Sequence, residues 1–354
     1  MVAPKLGRKN FLAGAVLAVF CLMPLSAHAD FLKFGKKKEA EEKPAPIETV
    51  PEAKSADQKP EVPAQKAPAK LMYSKDYVGE AQAYVTKYED TMVQIARTYD
   101  VGFVELRSAN PFLDPWIPGA DKKMIIPTMH LLPDAVREGV VINLAEMRMY
   151  AFLKPGQPPH TFPIGVGREG LLTPQGNTTI QRKKEGPVWR PTPRMRKENP
   201  ELPVEVGPGP DNPMGTHAMY LGWPEYAIHG TDKPYSIGRR VSSGCIRMYP
   251  EDIIKAYELF PVGTKVTVVD QPVKIGWVED KLYLEVHPTT NQVDAMEMDG
   301  GLPGYVFTEE DMGLVVAAAG EYVRDLNWPL IRQVVRERRG YPVEIFKKPE
   351  AVSN

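Results

Sequence analysis

Ile228-His229-Gly230-Thr231, followed by Gly238-Arg239-Arg240-Val241-Ser242-Ser243-Gly244-Cys245-Ile246-Arg247-Met248, is the stretch from which the rest of the chain can be read. A cysteine is nucleophilic as the thiolate, and a neighbouring imidazole both favours that form and carries its proton. His229 precedes Cys245 by 16 residues, a separation that a strand, a loop and a return can close. Ser242, Ser243 and Gly244 are small enough to let a substrate carbonyl approach the sulfur, and the backbone N–H groups at Ser243 and Gly244 are candidates to bind a developing oxyanion. Arg247 lies two residues past the cysteine, on the same face if the segment is extended, where its guanidinium can hold a carboxylate. Each residue alone has a bland reading: Cys245 as a small buried hydrophobe, His229 as a structural histidine, Arg247 as a brace for the loop. Their combination points to a cysteine nucleophile.

The order of the pair excludes familiar arrangements. Papain-like peptidases carry the cysteine first and the histidine far downstream, and caspase-like enzymes separate histidine from cysteine by ~50 residues. No second cysteine supports a redox C-x-x-C centre, and no paired His or Cys cluster supports zinc. Neither metal nor cofactor is expected. Gly165-Val166-Gly167-Arg168-Glu169-Gly170 matches G-x-G-x-x-G, but a dinucleotide site needs a helix opening there, and Leu171-Leu172-Thr173-Pro174-Gln175-Gly176 forbids a long one.

Around this motif, residues 136–271 read as β-rich. Val140 to Asn143 and Met147 to Phe152, joined through Ala145-Glu146, form a hairpin pattern. Thr178 to Ile180, Ala218 to Leu221, Tyr226 to His229 and Lys265 to Val269 are further strands. Pro250 suits a first helical position, Glu251-Asp252 complement the dipole, and Ile253, Ile254, Ala256 and Leu259 make an apolar face. A long proline-rich stretch from Lys183 to Pro213 is expected to be functional or disordered.

The chain has 354 residues, with 44 Lys+Arg against 45 Asp+Glu, 43% hydrophobic and 25% charged residues, 36 Pro and 2 Cys. Near-neutral charge argues against a nucleic-acid partner held by a positive field, and two cysteines exclude a disulfide scaffold. Lys5, Arg8 and Lys9, the apolar run Phe11 to Leu25 and Ala27-His28-Ala29 predict a signal peptide over 1–29, cleaved after Ala29. A spanning helix would need ~20 apolar residues. Cleavage leaves a net charge of −4 and removes Cys21, so Cys245 becomes a lone thiol in an oxidising compartment, where cysteines are normally paired. Residues 30–70, rich in Lys, Glu, Ala and Pro, read as a disordered linker.

Residues 71–133 read as a β-α-α-β unit. Asp90 can cap a helix with Met92, Ile95, Ala96 and Tyr99 on one face, a second turn set holds Phe103, Val104 and Leu106, and Asn110-Pro111 stops it. Ala83 to Val85 and Lys123 to Ile126 are the flanking strands. Tyr84-Val85, Glu89 to Met92, Ile95-Ala96, Leu106, Asn110-Pro111, Pro118-Gly119 and Ile125 to Pro127 resemble a LysM module, which implies binding to the glycan of peptidoglycan; the alternative is a small structural cap. Residues 272–354 read as a C-terminal α+β appendage: a hairpin of Val273 to Trp277 and Leu282 to Val286 around Glu279-Asp280, a helix capped by Thr308, and another from about Trp328 to Arg338.

The His229 to Arg247 stretch resembles the catalytic motif of YkuD-type L,D-transpeptidases, in which a histidine followed by glycine precedes a Ser-His-Gly-Cys-x-Arg block. Thr173-Pro174-Gln175-Gly176 and Asn212 to Met219 are similar to two further family segments. Ser243 stands where many members have histidine, which bears on substrate contacts and not on the base. The resemblance implies a mainly β fold with a sandwich-like catalytic domain, with Cys245 as nucleophile, His229 as base and acid, and the Gly230 carbonyl orienting the imidazole. It also implies acyl transfer from peptidoglycan stem tetrapeptides in the periplasm, where the acceptor is a neighbouring stem, giving a 3→3 crosslink, or an outer-membrane protein. An L,D-carboxypeptidase acting through water and a non-catalytic wall-binding protein are the alternatives.

Overall fold

The computed structural model describes residues 73–299, 304 and 307–349. The signal peptide and linker expected over 1–70, and the first two residues of the unit expected after them, lie outside the described residues.

The chain starts with β1 (Tyr77–Val78) and β2 (Gln82–Val85), continues through α1 (Met92–Thr98) and α2 (Phe103–Ala109), and closes with β3 (Lys123–Ile126) and β4 (His130–Leu131). Antiparallel β2–β3 and β1–β4 pairs frame the two helices. The cap of α1 is Thr91, whose hydroxyl accepts from Gln94 N at 3.3 Å. This corrects the assignment to Asp90, whose carboxylate instead accepts from Tyr84 Oη at 2.8 Å and Lys87 N at 2.7 Å and so fixes the preceding turn. Asn110 stops α2 as expected. Its amide donates to Leu106 O at 2.9 Å and Ile125 O at 2.7 Å and accepts from Ile125 N at 2.8 Å, which ties the helix end to β3.

The central sheet is built from β5 (Gly139–Asn143), β6 (Arg148–Phe152), β7 (His160–Gly167), β8 (Gly176–Glu185), β9 (His217–Leu221), β10 (Ala227–His229), β11 (Arg240–Ser242), β12 (Ile246–Met248) and β13 (Lys265–Val269). Its order is β11-β7-β12-β10-β9-β8-β13-β5-β6, and β6 also pairs with β7. The expected sandwich-like sheet therefore rolls into a closed eight-stranded ring, with β11 appended to the end of β7. Closure removes the exposed edges that an open sheet would leave. Ile142, Met149, Ile164, Ile180, Met219, Ile228, Ile246 and Val266 fill the core at near-zero exposure. The G-x-G-x-x-G run is strand and turn, with no helix after it. Between β12 and β13 runs α4 (Pro250–Leu259), opened by Pro250 and packed through Ile253 and Ala256.

The proline-rich stretch is ordered. Within it α3 (Pro193–Glu198) is capped by Thr192, and Trp189 bridges to Val206. Fully buried Asn212 donates to Pro187 O at 2.7 Å and Gly207 O at 2.9 Å, holding both ends of this strap.

After β13, β14 (Val273–Val278), β15 (Lys281–Val286) and β16 (Val343–Lys347) form a three-stranded antiparallel sheet. The helices α5 (Thr290–Asp299), α6 (Glu309–Ala319) and α7 (Trp328–Glu337) lie between its second and third strands. Leu282, Leu284, Val315, Ile331, Val335 and Ile345 give this appendage its own core.

The N-terminal unit has no such separate core. Met92, Ile95, Phe103, Leu106 and Met124 belong to one cluster with Ile142, Met149 and Ile164 of the barrel. Gly238 lies against Gly102 so closely that a Cβ there would meet Gly102 Cα at 2.3 Å. Arg97 and Glu251 pair at 2.8 Å, and buried Glu105 and Arg148 at 2.7 Å. Where the three parts meet, the Lys274 ammonium lies 2.6 Å from Glu146, 2.9 Å from Glu285 and 2.7 Å from Leu131 O, with His287 2.7 Å from Glu285. His130, Glu146 and Glu285 gather three ligand-type atoms within 4.8 Å, but Lys274 already supplies a cation between the two carboxylates.

Candidate active site

Short parallel strands bring the two halves of the motif together. On β10 and β12, Ile228 faces Ile246 and His229 faces Arg247, so one residue earlier Ala227 comes beside Cys245, and its amide reaches the sulfur. Cys245, His229, Ser243 and Arg247 all line one cleft of about 640 Å³. The walls are barrel residues on one side and the 186–213 strap on the other, including Trp189 and Met195.

His229 is 6% exposed and its Nδ1 lies 2.6 Å from Gly230 O. A carbonyl only accepts, so Nδ1 carries a proton and the neutral ring keeps its lone pair on Nε2. Burial, and secondarily the positive charge of Arg247, hold His229 down at about 4, against a smaller opposing effect of the Gly230 carbonyl. Half-buried Cys245 donates its thiol hydrogen to Glu225 O at 3.4 Å. Burial pushes this thiol up, with the Ala227 amide and Arg247 pulling partly against it. At neutral pH the resting pair is thus thiol and imidazole, not thiolate and imidazolium. An imidazole in this state has the open lone pair that a general base needs.

The loop before the sulfur is braced from within. Ser242 Oγ donates to Cys245 O at 2.5 Å and accepts from Gly244 N at 3.1 Å. Thr173 Oγ1 donates to Gly244 O at 2.8 Å and accepts from Gly167 N at 3.1 Å. Gly244 has φ +110°, and a Cβ there would stand 2.9 Å from Tyr226 Cε1. Both features call for glycine at this position. The Gly244 N–H, expected to bind an oxyanion, is taken by Ser242, whereas no acceptor among the described residues takes the amides of Ser243 and Cys245. From behind, α5 holds β11 through Asp294 to Arg240 at 3.1 Å and Glu297 to Arg239 at 3.3 Å.

Arg247 points into the cleft as its i, i+2 relation to Cys245 predicts. Its Nε is buried without a hydrogen-bond partner, and it makes no ion pair among the described residues. Sequence reasoning missed the part played by Thr173, although its turn was noticed, and missed Trp189, Tyr220 and Arg182 in the cleft wall. The strap's signal was its length alone.

Residues 137–268 match the YkuD family, L,D-transpeptidase catalytic domain. The chain is 43% identical over 215 residues to the probable L,D-transpeptidase ErfK/SrfK of Escherichia coli (strain K12), covering 59% of this chain and 69% of that protein. It is 39% identical over 257 residues to the probable L,D-transpeptidase ErfK/SrfK of Salmonella typhimurium, covering 71% and 81%. To the probable L,D-transpeptidase YbiS of Escherichia coli (strain K12) it is 38% identical over 256 residues, again covering 71% and 81%.

Proposed function

Because the chain belongs to the YkuD family of L,D-transpeptidases, we propose that it transfers peptidoglycan stem peptides through a thioester on Cys245. His229 Nε2 takes the thiol proton while Sγ attacks the carbonyl of the third stem residue. The amides of Ser243 and Cys245 bind the oxyanion, and Arg247 holds a nearby stem carboxylate. The terminal D-alanine leaves with the proton from His229. An acceptor amine then attacks the thioester, giving a 3→3 crosslink if it comes from another stem and an anchored protein if it comes from an outer-membrane protein.

One observation carries this reading: the imidazole, fixed by Gly230 O at 2.6 Å, and the sulfur open into the same cleft as an arginine that makes no ion pair among the described residues. Export to the periplasm, through the segment 1–29, follows from the same substrate. The N-terminal β-α-α-β unit is the proposed glycan holder; Phe112 at 85% and Trp116 at 58% exposure offer apolar faces for sugar rings.

Purified protein incubated with defined muropeptides and analysed by mass spectrometry tests the proposal. A tripeptide adduct on Cys245 and dimeric products are expected, with hydrolysed tripeptide alone indicating water as acceptor. Turnover retained by Cys245→Ala would overturn the mechanism.

A further inference from the structure

β8 breaks its alternation at one place. Ile180 faces Leu221 and Arg182 faces Tyr220, so two residues of β8 advance against one of β9, and Gln181 is the extra residue of a β-bulge. Without it, Arg182 would share the inward face of buried Ile180. Bulges re-aim side chains and gather beside active sites. Here the guanidinium emerges in the cleft wall, over the Tyr220 ring with its carbon 3.7 Å from the ring centroid.

The register places this group in line with the nucleophile. Arg182 lies beside Tyr220, Tyr220 beside Ala227, and Ala227 beside Cys245. At ~4.8 Å per strand, Tyr220, which carries the guanidinium on its ring, stands about 10 Å from the strand of the sulfur.

Arg182, Arg190, Arg194 and Arg247 are the arginines of this cleft. The two on the strap are neutralised, Arg190 by Glu205 and Arg194 by Glu198, each at 2.8 Å. The two on the barrel, Arg247 and Arg182, make no ion pair among the described residues. Stacking occupies the face of a guanidinium and leaves its N–H edge free for a planar anion.

We propose that Arg182, held on Tyr220, is a second carboxylate-binding position in the cleft, so that the site selects acidic peptides carrying one carboxylate at Arg247 and another about 10 Å from the attacked carbonyl. An extended peptide covers that span in about three residues. The inference rests on the reading of the cleft as a stem-peptide site. The carboxylate belongs either to the donor or to the amine acceptor, and the chemistry of recognition is the same.

The test uses the full chain, a stem tetrapeptide donor, an amine acceptor, and versions of each with single carboxylates amidated. Arg182→Gln should lower kcat/KM about ten- to a hundredfold, mainly through KM, and Arg182→Lys should recover only part of this because it lacks the fork. Amidating the cognate carboxylate should bring the wild type down to the Arg182→Gln level and leave Arg182→Gln unaffected; the peptide on which this occurs names the source. No loss in Arg182→Gln, or a loss that persists against every amidated peptide, would overturn the assignment. So would a parallel fall in melting temperature and in Cys245 alkylation rate, which would mark a scaffolding role. If the wild type turns over no stem peptide, the stem-peptide reading fails instead. Calorimetry of a dicarboxylate peptide with Cys245→Ala, with and without Arg182→Gln, then still decides the role of Arg182: weaker binding supports it and equal binding refutes it.

Discussion

Replacing Glu105 by Gln tests whether the N-terminal unit and the barrel stand or fall together. Glu105 lies on α2 and Arg148 on β6, and their Oε2 to Nη2 contact of 2.7 Å is sealed at side-chain exposures of 3% and 1%. The same oxygen accepts from Gly102 N at 2.9 Å. Glutamine keeps the shape and removes the charge, which takes from the interior Arg148 guanidinium its direct counter-ion. Breaking one side of a buried pair costs about 3–5 kcal/mol. At ~2–4 °C per kcal/mol for a large folded unit, the melting temperature should fall by roughly 6–20 °C. Glu105→Gln/Arg148→Met should recover most of that, because no unpaired charge remains. Thermal unfolding is followed at pH 7 by circular dichroism and, in parallel, by the accessibility of Cys245 to a thiol reagent. Coincident transitions are expected, shifted together by the substitution. A fall below 2 °C, or an early transition that leaves Cys245 protected, would refute the reasoning and return the unit to an independent module. For the same reason, excising residues 71–133 should destabilise the barrel as well as weaken any binding to cell-wall glycan.

Three further outcomes follow from the site. With His229 held down at about 4 and the Cys245 thiol pushed up, alkylation of Cys245 should be slow at pH 7 and climb about tenfold per pH unit towards 9; a fast plateau from pH 5 to 8 would show a thiolate–imidazolium pair instead. Arg247→Lys should lower kcat/KM for the tetrapeptide roughly ten- to a hundredfold, since the planar fork is lost, and matched losses in thiol reactivity and melting temperature would assign it to the scaffold. Asp100 is raised to about 7 by burial and then by the neighbouring Asp252 charge; the folded state therefore holds this proton more tightly than the unfolded chain, and its contribution to stability declines as pH rises from about 4 to 7. Asp100→Asn should accordingly melt above the wild type at pH 8 and lose that advantage near pH 4, a gain that does not vary with pH being the refuting result.

What the sequence discloses depends on whether one local pattern dominates. Lys265–Val269 alternates buried and outward residues, and Trp328–Glu337 buries Ile331, Val334 and Val335 at helical spacing; both are legible to within a residue. β7 is not, because Pro163, Gly165 and Gly167 read as strand breakers. Two of these glycines serve backbone approach instead: a Cβ on Gly167 would stand 2.1 Å from Leu171 O, and one on Gly165 would stand 2.7 Å from Ser236 O. α5 is mostly polar and buries Val293 and Met296, too little for a periodic signal. In the site, Cys245, His229 and Arg247 are legible because their chemistry resides in residue type and spacing. The brace from Thr173 to Gly244 spans 71 positions, and the bulge that exposes Arg182 leaves no trace in composition. Both exist only once the ring closes.

The protonated state of the resting sulfur has a consequence for its durability. Peroxide and similar oxidants convert thiolates to sulfenic acid far faster than thiols, and Cys245 holds its hydrogen towards Glu225 O with no second cysteine among the described residues to resolve an oxidised form. With the thiol pushed up by burial, little of the reactive anion is present at neutral pH, and oxidation slows in proportion. The burial that keeps the sulfur protonated thus also shields it from oxidants.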